Sequence, residues 1–137
     1  MIQEILTIPT RGRGFEMITS QVASVVARSQ VRFGLCNVFI RHTSASLVIT
    51  ENADSAVRRD LERFMQRIAP DGSPEYEHDI EGPDDMPAHI RTMLTAVSVS
   101  VPVMEGRLAL GTWQGIYLWE HRTSRHTREV IVTVVGT

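Results

Sequence analysis

The chain has 137 residues, of which 42% are hydrophobic and 22% charged; this excludes a disordered chain and leaves room for one packed domain over 1–137. A net charge of -2 excludes a general nucleic-acid binder, whose surface must be basic to displace counterions from phosphates. All 14 basic residues are arginine, which rules out Schiff-base and Walker-type lysine chemistry and leaves arginine or a metal ion to grip a substrate phosphate.

The single Cys36 cannot form an intrachain disulfide, and Met1-Ile2-Gln3-Glu4 lacks the basic-then-apolar pattern of a secretory signal. A cytoplasmic protein is the expectation. No apolar run approaches the roughly 20 residues of a membrane helix, so no membrane partner is expected.

Ile2 to Ile8 reads as a first strand, stopped by Pro9 and followed by the turn Arg11-Gly12-Arg13-Gly14. From Phe15 the apolar residues Phe15, Ile18, Val22, Val25 and Val26 recur at helical spacing, predicting a helix that ends near Ser29. Phe33 to Ile40 and Leu47 to Thr50 are predicted strands, separated by the small polar set His42-Thr43-Ser44-Ala45-Ser46. Asn52 or Asp54 can cap a second helix, with Val57, Leu61, Phe64, Met65 and Ile68 as its buried stripe and Pro70-Asp71-Gly72 as its stop.

Ser73 to Pro83 has few apolar residues, and six carboxylates fall between Glu75 and Asp85. Such a loop is either solvated or neutralised by a divalent cation or by arginine. Asp84 or Asp85 caps a third helix with Pro87 in its first turn and Ile90, Met93, Leu94 and Val97 expected on its inner face. Val97 to Val103 alternates valine with serine, and Arg107 to Leu110, Ile116 to His121 and Glu129 to Val135 complete a run of strands. The fold class is α+β, a single domain with about three helices packed on one side of a largely antiparallel or mixed sheet.

Of the five histidines, His42, His78, His89 and His121 each carry a local clue, whereas His126 sits in a plain polar turn. No pair has zinc-finger or His-Glu-x-x-His spacing, so a metal site has to be assembled from distant segments. Thr43, Ser44 and Ser46 can donate hydroxyls to a phosphate, or simply end a strand. In Gly111-Thr112-Trp113-Gln114-Gly115, Trp113 can wall a pocket and Gln114 offers a donor and an acceptor; a plain turn accounts for it equally. Cys36 reads as a core residue.

Taken together, His42-Thr43-Ser44-Ala45-Ser46-Leu47, Glu51-Asn52-Ala53-Asp54, Val57-Arg58-Arg59-Asp60, Tyr76 to Gly82, Asp84 to Ile90 and Gly111 to Ile116 with Glu120-His121-Arg122 resemble the YjbQ family in order and spacing. The resemblance runs essentially end to end. It implies a compact α+β protein, commonly a homotrimer, with clustered histidines at a metal site. It also implies a secondary thiamine-phosphate synthase activity, which joins a pyrimidine methyl diphosphate to a thiazole phosphate and releases pyrophosphate.

On that basis the expected metal ligands are His42, His78, His89 and His121, holding Zn²⁺ or Mg²⁺. Asp79, Glu81, Asp85 and Glu120 are the expected catalytic carboxylates, forming or tuning the outer shell. Thr43, Ser44, Ser46, Asn52, Trp113, Gln114 and Arg122 are expected to bind a phosphorylated small molecule. Two alternatives stay open: a non-enzymatic protein that binds a metal or an anionic metabolite, and a metal-dependent phosphoester hydrolase.

Overall fold

The computed structural model describes residues 1–137, and it joins the two ends of the chain within one sheet. Strand β1 (Ile2–Pro9) pairs with β8 (Thr127–Gly136), β8 with β3 (Phe33–Ile40), β3 with β5 (Ser98–Met104), and β5 with the short β6 (Arg107–Leu108). A second sheet holds β2 (Gly14–Met17), β7 (Gln114–Glu120) and β4 (Ala45–Glu51), with β7 in the middle. Helices α1 (Thr19–Ser29), α2 (Ser55–Ile68) and α3 (Asp85–Leu94) complete an α+β fold. Every pairing is antiparallel.

The expected single sheet is therefore two. After Ile40 the chain turns through 41–44, and β4 pairs with β7 rather than with β3. Period-two alternation decides what each strand buries. In β8, Arg128, Val130, Val132 and Val134 point inward, opposite Cys36, Val38 and Ile40 of β3 and Val101 and Val103 of β5. Ala45, Leu47, Ile116 and Leu118 face them from the second sheet, and Val22, Val25 and Val26 of α1 close the same core. Burial pushes the Cys36 thiol up to about 11, so it packs and does not react.

Three local expectations need correction. Phe15 belongs to β2, not to α1: it pairs in register with Trp119 and its ring stacks on the indole at 4.3 Å. A four-residue strand is too short to impose its own period, so the helical spacing runs on through it.

The cap of α2 is Asp54, whose side chain accepts the Ala56 N–H at 2.9 Å. Its stripe, however, buries only Met65, while Phe64 and Ile68 are about half exposed. The helix is held to the second sheet by polar contacts: Arg58 donates to the Tyr117 hydroxyl at 3.0 Å, and Trp119 Nε1 donates to Glu62 at 2.8 Å.

Helix α3 faces the other way from its apolar pattern. Met93 and Leu94 are exposed, whereas Asp85, Ala88, Arg91 and Thr92 are buried. Arg91 is buried with one guanidinium nitrogen, Nη1, paired to Glu62 of α2, while its Nε and Nη2 have no hydrogen-bond partner within the chain. The opposite turn of α3, carrying Asp85 and His89, is thereby aimed at the 41–44 connection.

Candidate metal centre

Three side chains meet where α3, the 69–84 loop and the 41–44 connection converge. His78 comes from the loop, Asp85 from the first residue of α3 and His89 from one turn later, so the i, i+4 spacing puts Asp85 and His89 on one helical face. His78 Nε2 lies 2.6 Å from Asp85 Oδ2, and His89 Nε2 lies 3.0 Å from the same oxygen. The three ligand atoms all fall within 4.8 Å of one another.

One nitrogen of His89 has a fixed role. Nδ1 is 2.8 Å from the Thr43 carbonyl oxygen, which can only accept, so Nδ1 carries the hydrogen. In the neutral ring Nε2 is then a bare lone pair, and it points at a carboxylate oxygen. That contact is repulsive unless a cation or a proton lies between the two atoms. Burial opposes ionisation of Asp85, but the hydrogen bond from His78 and then positive charge on His89 and Arg122 outweigh it and hold the carboxyl below its ordinary range. Two imidazoles and one carboxylate with open positions are a donor set that fits Zn²⁺ or another borderline divalent ion better than Mg²⁺, which prefers all-oxygen ligands.

A bay of about 350 Å³ adjoins this cluster and shares His78 with it. Ser73, Tyr76 and Asp79 are among its lining residues, and no arginine is. Tyr76 is tied down by a 2.8 Å hydrogen bond from its hydroxyl to the Pro70 carbonyl.

Two of the four expected histidine ligands lie elsewhere. His42 Nε2 accepts the backbone N–H of Glu129 at 2.8 Å, so its lone pair is used in joining the end of β3 to β8. His121 is fully buried with Nε2 2.8 Å from the Ser46 hydroxyl, and burial, with Arg91, Arg13 and Arg128 nearby, pushes its pKa down to about 3. It is a neutral interior imidazole. Glu120 is equally committed: burial would raise its pKa, but Arg128, the Thr10 hydroxyl and the Arg122 N–H hold it low.

Ser44 accepts a hydrogen bond from Arg128 at 3.0 Å, and the fully buried Ser46 hydroxyl is paired with His121 at 2.8 Å. Thr43 acts through its carbonyl. Asp79 lines the bay, and Glu81 contributes its backbone carbonyl to Arg122 at 2.8 Å. Asn52, Trp113 and Gln114 lie at the far end of the β4–β7 ladder: Glu51 pairs with Gln114 at one end and Ala45 with Glu120 at the other. Six residues at about 3.3 Å each place them about 20 Å away. There Asn52 and Gln114 knit the 111–114 turn, with Gln114 accepting the Gly111 N–H at 2.8 Å, and Trp113 stays exposed.

The expected residue list omits Asp84 and Arg128, which the structure shows to be central to the polar interior. Arg128 falls in phase with Val130, Val132 and Val134, so an arginine on the core side of the last strand was visible in the alternation. Asp84 stood out only as a possible helix cap among the loop carboxylates; it occupies the N-cap position of α3, but its side chain makes no cap bond and pairs with Arg122 instead.

The family model described as UPF0047 protein YjbQ-like matches residues 4–137. The chain belongs to the YjbQ family. The UPF0047 protein sll1880 of Synechocystis sp. is 54% identical, with 98% of this chain and 91% of that protein covered. UPF0047 protein YjbQ of Escherichia coli O157:H7 is 44% identical over 98% of this chain and 97% of its own length. A solved YjbQ/UPF0047 family protein from Clostridium acetobutylicum superposes with a TM-score of 0.86 at 35% identity, covering 98% of this chain and all of its own. No helix of the YjbQ-family chain described here is long and apolar enough to cross a membrane.

Proposed function

We propose that His78, Asp85 and His89 hold a divalent metal ion, Zn²⁺ by the chemistry of the donors, and that a phosphorylated small molecule reacts there. The observation that carries this is the convergence of His78 Nε2 and His89 Nε2 on one oxygen of Asp85, with His89 Nδ1 occupied by the Thr43 carbonyl so that Nε2 is the atom left to offer a metal ion. Bound there, the ion supplies positive charge to an anionic group.

The reaction that fits the family resemblance is thiamine-phosphate synthesis. The ring nitrogen of the thiazole phosphate bonds to the pyrimidine methylene carbon as the carbon–oxygen bond to diphosphate breaks, and pyrophosphate leaves with the electron pair. The chain's own part is to hold the metal ion through His78, Asp85 and His89 and to seat the organic group against Tyr76 and Asp79. Purified zinc-loaded protein should form thiamine phosphate from the two precursors, and His78→Ala should abolish it. No product above background from wild type would sink the transferase assignment.

A metal-binding protein without turnover has one observation in its favour. Of the phosphate-gripping groups expected from the sequence, Ser46 is paired with His121 and Arg122 with Asp84, Asp85 and the Glu81 carbonyl. Stoichiometric zinc with no product from the precursors or from generic phosphoesters would select it.

The family resemblance implies a homotrimer, and the outer face of the five-stranded sheet is the surface we propose for its contacts. Ile5, Ile131 and Phe39 lie in one cross-strand row and Val135, Leu35 and Pro102 in another, with the polar row Gln3, Thr133, Asn37 and Ser100 between them, all on the side away from the core.

A further inference from the structure

Arg122, one residue beyond the pair Glu120-His121, reaches the candidate site with an ion pair to Asp85 and is held there by hydrogen bonds to Asp84 and the Glu81 carbonyl. Its Nη1 lies 2.9 Å from Asp85 Oδ1, its Nε donates to Asp84 Oδ2 at 3.0 Å, and its Nη2 donates to the Glu81 carbonyl at 2.8 Å. Asp84 is itself braced, accepting the Thr123 N–H at 2.8 Å and the Thr123 hydroxyl at 3.1 Å. Burial opposes ionisation of Asp84, yet these donors pull its pKa down to about 2. The backbone passes close by at Gly82, whose φ of +103° and 3.2 Å clearance to Asp84 leave no place for a side chain.

The two oxygens of Asp85 are therefore divided. Oδ1 belongs to Arg122, and Oδ2 alone faces His78 and His89. A carboxylate whose second oxygen is held by a guanidinium offers a metal one oxygen, not two. Low-coordination, nitrogen-tolerant ions are suited by that; hard ions that gather many oxygens are not.

We propose that Arg122 is a positioning and specificity-determining residue, which fixes Asp85 as a single-oxygen ligand and so makes the site favour Zn²⁺ over hard divalent ions. This rests on the metal assignment above. Arg122 acts through Asp85. Lysine cannot replace it, because one ammonium cannot span Asp84, Asp85 and the Glu81 carbonyl in the planar geometry of the guanidinium.

The test compares wild type, Arg122→Gln and Arg122→Lys as full chains, each checked for folding by circular dichroism. Calorimetric titration with Zn²⁺ and separately with Mn²⁺ gives the ratio of the two affinities, and the visible spectrum of the Co²⁺ form reports coordination number. Zn²⁺ affinity should fall about 10- to 100-fold in Arg122→Gln, the range for losing an outer partner of a metal ligand. Mn²⁺ affinity should not fall with it, and the Co²⁺ bands should weaken as Asp85 turns to offer both oxygens. Arg122→Lys should show the same changes in smaller measure and decides the matter if the glutamine variant does not fold. An unchanged Zn²⁺ to Mn²⁺ ratio and Co²⁺ spectrum in the folded variants overturns the role of Arg122. Absence of Zn²⁺ binding by wild type instead overturns the metal assignment beneath it.

Discussion

His89 Nδ1 and the Thr43 carbonyl oxygen, 2.8 Å apart, tie α3 to the connection between the two sheets. Because the bond uses the backbone of Thr43, its hydroxyl is dispensable. Thr43→Ala should change zinc affinity by no more than about twofold, in line with the small cost of exposed substitutions. Calorimetric titration checks this, and a loss of tenfold or more would return the hydroxyl to the site.

The histidines should separate into two classes. His78→Ala and His89→Ala each remove a converging ligand atom and should lower zinc affinity by two or more orders of magnitude with little change in melting temperature. His42→Ala and His121→Ala should keep stoichiometric zinc but melt lower, since each leaves a partner unpaired: the Glu129 N–H in one case and the Ser46 hydroxyl in the other. Each lost partner costs about 1–3 kcal/mol. Metal analysis beside thermal melts distinguishes the classes.

Stability should depend on pH through His121. Its ordinary pKa of 6.5 is pushed down to about 3 in the folded chain, so between those values the unfolded chain binds a proton that the folded one does not. The contribution is fully present above pH 6.5 and is lost as pH falls toward 3, at up to about 1.4 kcal/mol per unit. The urea midpoint should drop between pH 7.5 and pH 5, and His121→Gln should reduce that drop. An equal drop in the variant would remove His121 as its source.

Much of this architecture was legible in the residues, and the exceptions have physical causes. Phe33–Ile40 appears with the bounds that its β-branched and aromatic run suggests, and the valines of β5 face the core as their alternation requires. The inner face of α3 was not legible, because the pairing partner of buried Arg91 is Glu62, 29 positions away. In the site, the polar loop and the start of α3 pointed to His78, Asp85 and His89. What no local pattern carries is which histidines converge: His42 and His121 look no different in sequence, and their ring nitrogens are used by Glu129 and Ser46 across the fold.

The homotrimer proposed from the family resemblance uses the outer face of the large sheet. On that proposal wild type should scatter light as a trimer. Leu35→Glu with Phe39→Glu, which place two carboxylates on that face without touching the core, should yield a folded monomer or dimer. A trimer that persists in the double variant would move the interface elsewhere.

The central claim is that His78, Asp85 and His89 form a metal site, and elemental analysis after zinc loading and exhaustive dialysis tests it most directly. Wild type should retain one zinc per chain and Asp85→Asn far less, with both proteins folded. Zinc absent from wild type, or retained equally by a His78→Ala, His89→Ala double variant, would contradict it.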